Sequence, residues 1–436
     1  MSLNTHTLAC SAVFALACSA LGADLAGPVS LENATPSTDE IRALIADMLA
    51  DAETRSSLLQ SGSNAGHDGH FFLASPDGSF RLNVSGQIQA RYTINSRHDQ
   101  GNTTDDFESG FTNPRTVLRF DGKVYDNFVY GIQGVFNNSG GGFTLEDAYT
   151  GYAFDNGWIL LAGQYREPIL WEDVINDEDS LAVDQSVVNA VFAQGFSKGA
   201  WVHYSTDQWR MWAGVNDGIR SANTDFSSSP AAFGVTTRWE YKIDGEWGQF
   251  DQFSSPRGSD LAIKIGAGAH YEQSPRVAGP LPPVGVGTIE SKLFAYTADV
   301  MVEGDGWNVF AMGVGLLTDT NGGTGTFNDL GFLVQGGFFV TDRIEPFARY
   351  DVVIPDADRA GNAAFNTATI GANYYLHGQA AKFSVDVQYY FNDVVGNDLV
   401  AGAASGAPGS VGNRIGLLPA GDEGQIAVRF GFQLLF

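Results

Sequence analysis

Cysteine is nearly absent. The two copies, Cys10 and Cys18, both lie within the first 22 residues, so the chain that follows has no thiol for disulfide or metal chemistry. Positive charge is scarce as well: 24 Lys+Arg stand against 50 Asp+Glu, a formal charge of −26. That deficit argues against a nucleic-acid partner, which needs a basic face to displace phosphate counterions. Long hydrophobic runs are missing after the N-terminus, where a membrane helix needs roughly 20 apolar residues. Mean hydropathy is only −0.09, and a helical membrane protein is excluded. What is abundant is glycine, at 53 residues, and aromatic side chains, at 12%. That mixture suits many β-strands separated by turns and polar, acidic loops.

Residues 1–22 have the layout of a secretory signal: a short apolar stretch from Leu8 to Leu21 closing on the small-x-small site Ala20-Leu21-Gly22. They depart from the pattern in having no Lys or Arg ahead of the apolar stretch. Acylation at Cys18 is the rival reading, but Ala15-Leu16-Ala17 matches a lipobox poorly. Within a segment 23–79 assigned to the periplasm, Ser37-Thr-Asp-Glu40 forms a capping box. Ile41, Leu44, Ile45, Met48 and Leu49 follow at helical spacing, predicting a helix over 37–60. It is either a short coiled-coil stem tying copies together or a helix docked on the main domain. Residues 61–70 read as a Gly-rich flexible linker. His67, Asp68 and His70 within it are solvated residues, with no third strong ligand for a metal.

From Phe80 the period is two. Phe80, Leu82, Val84, Gly86, Ile88, Ala90, Tyr92 and Ile94 alternate with Arg81, Asn83, Ser85, Gln87, Gln89, Arg91 and Thr93. Strands of soluble domains average five or six residues; one this long, with one apolar and one polar face, fits a wall between lipid and water. The pattern recurs near 115–125, 128–137, 144–154, 158–166, 198–206, 208–216, 233–243, 260–272, 291–303, 306–317, 329–340, 343–354, 366–376, 381–391 and 424–436. About sixteen strands result, an even number as bacterial barrels require. The fold class is all-β: a transmembrane antiparallel β-barrel over 80–436. Short turns such as Asp126-Asn127 and Gly304-Asp-Gly306 alternate with long connections such as 95–114, 167–197 and 392–423. That places both termini on the periplasmic side. One turn breaks the rule, 244–259, which is long where a short one is expected. The last strand sets Ile426, Val428, Phe430, Phe432, Leu434 and the terminal Phe436 on one face. That face leaves water only if it is sealed into a lipid-facing wall.

Leu145-Glu-Asp-Ala-Tyr149 with Gly151-Tyr152, Gly163-Gln-Tyr-Arg-Glu-Pro168, Gln335-Gly-Gly-Phe338 and Glu345-Pro-Phe-Ala-Arg-Tyr-Asp351 make the chain resemble the phosphate-selective porin O/P family over about 80–436. The resemblance implies a sixteen-stranded barrel, commonly trimeric, whose third outer loop folds into the lumen as a constriction. In members that select phosphate it implies clustered Arg and Lys lining the pore. The matching loop here, 167–197, has no Lys or Arg. It carries Glu167, Glu172, Asp173, Asp177, Glu178, Asp179 and Asp184. An anion approaching it meets repulsion focused by low-dielectric walls, so phosphate selectivity does not carry over.

The polar strand faces nominate Arg81, Arg91, Arg115, Arg119, Lys123, Arg210, Arg238, Lys242, Lys264, Arg349, Lys382 and Arg429 as a basic pore lining. Asp121, Glu240, Glu272, Asp299, Glu345, Asp351 and Asp386 share those faces. A basic wall facing an acidic loop across a narrow gap sets up a transverse field. The alternative for each lining Arg is a partner for a neighbouring carboxylate. The function expected is passive diffusion of small hydrophilic solutes and ions through a homotrimer in outer-membrane lipid. A weak cation preference is expected from the loop, and an anion- or phosphate-selective channel is the alternative. A structural envelope tether through 37–60 is a rival of another class. An enzyme is not expected: Gly195-Phe-Ser-Lys-Gly199 matches G-x-S-x-G but leads into a strand instead of an elbow. Nothing calls for a cofactor.

Overall fold

In the computed structural model, residues 64–97, 107–136, 141–228, 231–274, 291–320, 325–404 and 410–436 are described. The signal segment 1–22 and the helix 37–60 lie outside them. The described residues form one continuous antiparallel sheet of eighteen strands. A small hairpin of β1 (Ala65–His67) and β2 (Phe71–Ala74) precedes the barrel. The first eight barrel strands are β3 (Phe80–Ser96), β4 (Phe107–Val124), β5 (Phe128–Phe136), β6 (Phe143–Ala153), β7 (Trp158–Arg166), β8 (Phe196–Ser205), β9 (Trp209–Asn216) and β10 (Phe233–Asp244). The remaining eight are β11 (Ala262–Ser274), β12 (Ser291–Gly304), β13 (Trp307–Thr320), β14 (Gly325–Phe338), β15 (Ile344–Ile354), β16 (Phe365–His377), β17 (Ala381–Tyr390) and β18 (Gln425–Leu435). Each pairs with its neighbour in sequence, and β18 closes on β3 from Ile426↔Ser96 to Leu435↔Gln87. The sixteen-stranded closed barrel expected from the alternation is therefore present, and closure leaves no strand edge to satisfy in lipid.

The alternation has the sense expected. Phe80, Ile88, Trp239, Ile265, Phe332, Ile370, Phe383, Phe430 and Leu434 are exposed on the outside. Their neighbours along the chain Gln87, Arg238, Lys264, Thr369, Lys382 and Arg429 are buried within. The terminal Phe436 exchanges backbone hydrogen bonds with Gly86 at 2.8 and 3.0 Å, which fastens the last strand to the first.

Two departures from the sequence reading stand out. The stretch 61–70 read as a flexible linker holds β1, and β2, which follows it, continues along β3 (Phe71↔Val84 to Ala74↔Arg81) just past the point where β18 ends. Asp68 pairs there with Arg81 at 2.7 Å, and the Arg81 guanidinium lies 4.3 Å over the Phe72 ring. The second departure is the lumen, which is not filled with water alone. Ile169, Leu170, Trp171, Leu181, Val187, Val188 and Phe192 of the long loop after β7 form one apolar core with Phe310, Met312, Val314, Leu333, Phe347 and Phe365 of the wall. This explains why β7 and β13 show no polar face: their inward residues Leu161, Phe310, Met312, Val314 and Leu316 are buried against protein.

Candidate functional site

The loop after β7 enters the barrel and lies on the wall. It contains two short helices, α1 (Trp171–Val174) and α2 (Val187–Phe192). Ser186 caps α2, its hydroxyl accepting the Asn189 amide at 3.0 Å, while its own amide donates to Glu172 at 2.9 Å. A buried irregular loop must find partners for its backbone, and here the wall supplies them. Asp386 accepts the Val183 amide at 3.0 Å and Asp351 the Val187 amide at 3.1 Å. Arg238 donates to the Ile169 carbonyl at 3.0 Å, and Lys382 to those of Glu178 and Ser180 at 2.8 and 3.0 Å. Arg91 and Arg349 donate to the carbonyls of Val183 and Asp184, both at 2.8 Å. The inward side of β14 is hollowed for the loop: a Cβ on Gly331 would stand 2.7 Å from the Phe192 ring.

The loop carboxylates close the same contact. Asp184, fully buried, receives Arg91 at 2.7 Å, Arg115 at 3.0 Å and Arg414 at 3.7 Å. Asp177 pairs with Arg115, Glu178 with Arg119, and Glu172 with Arg349 at 3.6 Å. Burial alone would raise the Asp184 carboxyl, but Arg115 and Arg91 hold it well below the ordinary carboxylate range. Asp179 goes the other way: burial and then the neighbouring Glu178 push it up to about 7, with Lys382 and Arg119 offsetting only part. Asp173 accepts the Gly195 amide at 3.3 Å within the loop, and its backbone carbonyl accepts Arg166 of β7 at 2.5 Å.

The expected gap between basic wall and acidic loop is thus absent for these residues. Arg91, Arg115, Arg119 and Arg349 touch the carboxylates they were predicted to face, because desolvated opposite charges are stable only in contact. The remaining basic residues are distributed along the wall. Arg429 pairs with Asp386 at 2.7 Å. Arg238 pairs with Glu240 and Asp299 at 2.9 and 2.8 Å, and Lys264 with Glu240 at 2.7 Å. The Lys264 ammonium also sits 3.1 Å over Trp171 of the loop, a cation–π seat. Arg81 and Lys123 stand at the turn end of the barrel, Lys123 bound to Asp126 of the β4–β5 turn at 2.9 Å.

A part of the constriction escaped the sequence. The long turn after β10 folds back across the barrel mouth as a strap. Trp247 donates to the Thr206 carbonyl at 2.8 Å and lies under Arg210 and Lys242, at 4.3 and 5.6 Å from its ring centroid. Phe250 and Phe253 are buried inside, and the Phe253 amide donates to the Asp179 carbonyl of the loop at 3.0 Å. Ser254 reaches Glu345 at 3.0 Å, Ser255 the Gly304 carbonyl at 2.7 Å and Arg257 the Phe339 carbonyl at 2.8 Å. The anomalous length of 244–259 was the one visible signal.

Loop and strap together cover the inner faces of β11–β17. The side chains left half-buried lie opposite: Arg119, Asp121, Glu146, Asp147, Arg166, Asp177 and Arg414, with Asn176 exposed at the loop's edge. A cavity of about 130 Å³ opens there, between β4, β6, the loop and the segment before β18. The serine of the G-x-S-x-G stretch, Ser197, is buried within β8, and His203 stacks on Trp212 at 4.8 Å. His270 is held between Thr236 and Glu272 at 2.8 and 3.2 Å.

Residues 82–253, from β3 into the strap, match the family model of the phosphate-selective porins O and P; the stretches at 145–152 and 163–168 lie within the match, and those at 335–338 and 345–351 lie beyond it. Among solved structures, the anion-selective porin of Comamonas acidovorans is 12% identical with a TM-score of 0.55, covering 81% of this chain and 99% of that one. The outer membrane channel DcaP of Acinetobacter baumannii is 12% identical with a TM-score of 0.53, covering 83% and 99%. OmpT, an outer membrane protein of Vibrio cholerae, is 12% identical with a TM-score of 0.53, covering 84% and 100%. No curated protein sequence matches the chain. The chain thus shares its barrel fold with outer-membrane porins and resembles the phosphate-selective porins O and P over 82–253.

Proposed function

We propose that the chain is an outer-membrane channel for passive diffusion of small hydrophilic solutes and ions, with no enzymatic step. One observation carries this reading: a closed barrel with an apolar outside holds a loop pressed onto one side of its lumen and leaves polar, partly exposed side chains on the other. The solute path runs past β4–β7, with Arg119, Glu146, Asp147, Asp177 and Arg414 along it. Arg91 and Arg349 act through the loop they hold, and Arg429 through Asp386, which accepts the loop's Val183 amide, as structural members of the constriction. The ends of the chain and the strap face the periplasm, and the loop end faces outward. Copies assemble as a homotrimer; one of the solved OmpT structures is described as a trimer form.

A weak cation preference follows from the acidic excess. Residues 80–436 carry 41 Asp+Glu against 22 Lys+Arg, so pairing every base still leaves carboxylates near the mouths. The anion-selective alternative draws on the family match and on the Comamonas porin's description. Purified protein in a planar bilayer decides between them. Stepwise channel openings with a reversal potential of cation sign are expected under a salt gradient. Absence of openings overturns the channel, and an anion-sign potential overturns the preference.

A further inference from the structure

The cavity beside the constriction has a charge pattern that suits one class of solute. Arg115, Asp177, Glu146 and Arg414 line it, with Ser410 and Asn413 between them. Two positive and two negative side chains sum to zero, so the lining favours neither a simple anion nor a simple cation. The charges are not equally spent. Three guanidiniums converge on Asp184, and Arg414 is the most distant of them at 3.7 Å, with its side chain still 32% exposed. Asp184 and Asp177 are two carboxylates against these three cations, so one positive charge is left over, and Arg414 keeps attraction for an incoming anion group. Glu146 is the counterpart on the barrel wall. Its carboxylate accepts the Gln133 side-chain amide at 2.8 Å and forms no ion pair among the described residues. Asp177, already paired with Arg115, keeps 19% of its side chain exposed.

We propose that this cavity is a passing station for small zwitterions, solutes that carry a carboxylate and an ammonium a few bonds apart, as amino acids do. The carboxylate seats at Arg414, with the polar groups of Asn413 and Ser410 beside it, and the ammonium seats at Glu146. A volume of about 130 Å³ is several times the roughly 10–15 Å³ that one water needs on that measure, room for a molecule of the size of alanine or serine. Weak, two-point binding is what a channel needs: strong enough to draw the solute in and weak enough to release it. Opposite charges at the two ends also orient the solute along one direction, which a net field of a single sign does not do.

The proposal rests on the channel reading, and the test separates the two. Proteoliposomes of the full chain are assayed by swelling with serine, with glycerol, and with lactate and ethanolammonium as anionic and cationic comparators. Serine is expected to enter at least about threefold faster than glycerol, which matches it closely in size, and faster than either singly charged solute. Arg414→Gln and Glu146→Gln are each expected to bring the serine rate, taken relative to glycerol in the same variant, down to about one. Glycerol uptake also certifies that each variant is folded, and the wild-type comparison needs no variant at all. Serine entering no faster than glycerol overturns the station while leaving the channel in place. A substitution that slows serine and glycerol alike overturns it too. Failure of every solute to enter overturns the channel itself.

Discussion

At the residue scale, Asp184 is the single side chain on which most depends. It is fully buried and shared by Arg91, Arg115 and Arg414, so its removal strands several guanidiniums in a dry site. Breaking a buried pair by deleting one partner costs on the order of 3–5 kcal/mol. Asp184→Asn is accordingly expected to lower the denaturant midpoint of the detergent-solubilised barrel and to raise open-channel current noise as the loop loosens. Unchanged noise and midpoint would show that the apolar core alone holds the loop. The pH dependence has two opposite parts. Asp184 is depressed, so its contribution is present above the unfolded carboxylate range and is lost only as pH falls below that range, through its much lower folded value. Asp179 is raised to about 7: between its unfolded value near 4 and pH 7 the folded form holds the extra proton, so its penalty grows as pH rises through that window and is full above it. Acidifying from pH 8 to 6 therefore removes one negative charge from the constriction. Cation preference is expected to fall across that step in the wild type and to stay flat in Asp179→Asn. A step of equal size in the variant would assign it to another group.

At the element scale, the strap after β10 and the loop after β7 form one device, joined where the Phe253 amide meets the Asp179 carbonyl. The strap's apolar anchors, Phe250 and Phe253, are buried, and its polar contacts run from Thr206 and Arg210 on one side to Gly304 and Phe339 on the other. Replacing 246–254 with a short Gly-Ser turn opens the mouth beneath the loop. Single-channel conductance is expected to rise by roughly half or more, since a constriction's conductance grows with its open area; an unchanged conductance would mean that the strap lies off the ion path. Strands and loop entry were legible in the sequence, because period-two alternation and the resemblance speak directly to them. Side-chain partners were not. Alternation fixes which way Arg91, Arg115 and Arg119 point but says nothing about what covers them, and pairing with Asp184, Asp177 and Glu178 is a contact across distant segments. The same blindness hid the apolar half of the lumen: β13 shows no polar face because Phe310, Met312 and Val314 meet the loop instead of water. Nor did the Gly-rich stretch before Phe80 look like a hairpin, since β1 and β2 are too short to show a period.

At the scale of the whole molecule, charge and burial divide the labour. The buried charges of the lumen are consumed in holding the loop, as the pairs Arg429–Asp386, Arg238–Asp299 and Lys264–Glu240 show. What remains to act on passing ions, beside Asp179, includes exposed carboxylates of the acidic surplus such as Asp155, Asp207, Asp244, Asp305 and Asp342, which lie where water reaches them. Such charges work through the solvent, and the Debye length falls from about 10 Å at 0.1 M salt to about 3 Å at 1 M. A preference generated at the mouths is therefore expected to be clear in reversal potentials measured near 0.1 M and to shrink towards zero near 1 M. A preference generated in the constriction, where walls exclude counterions, would survive the added salt. The measurement thus locates the selectivity: persistence at 1 M would return it to the loop carboxylates, and loss at 1 M assigns it to the vestibules and leaves the loop as a purely steric and positioning element.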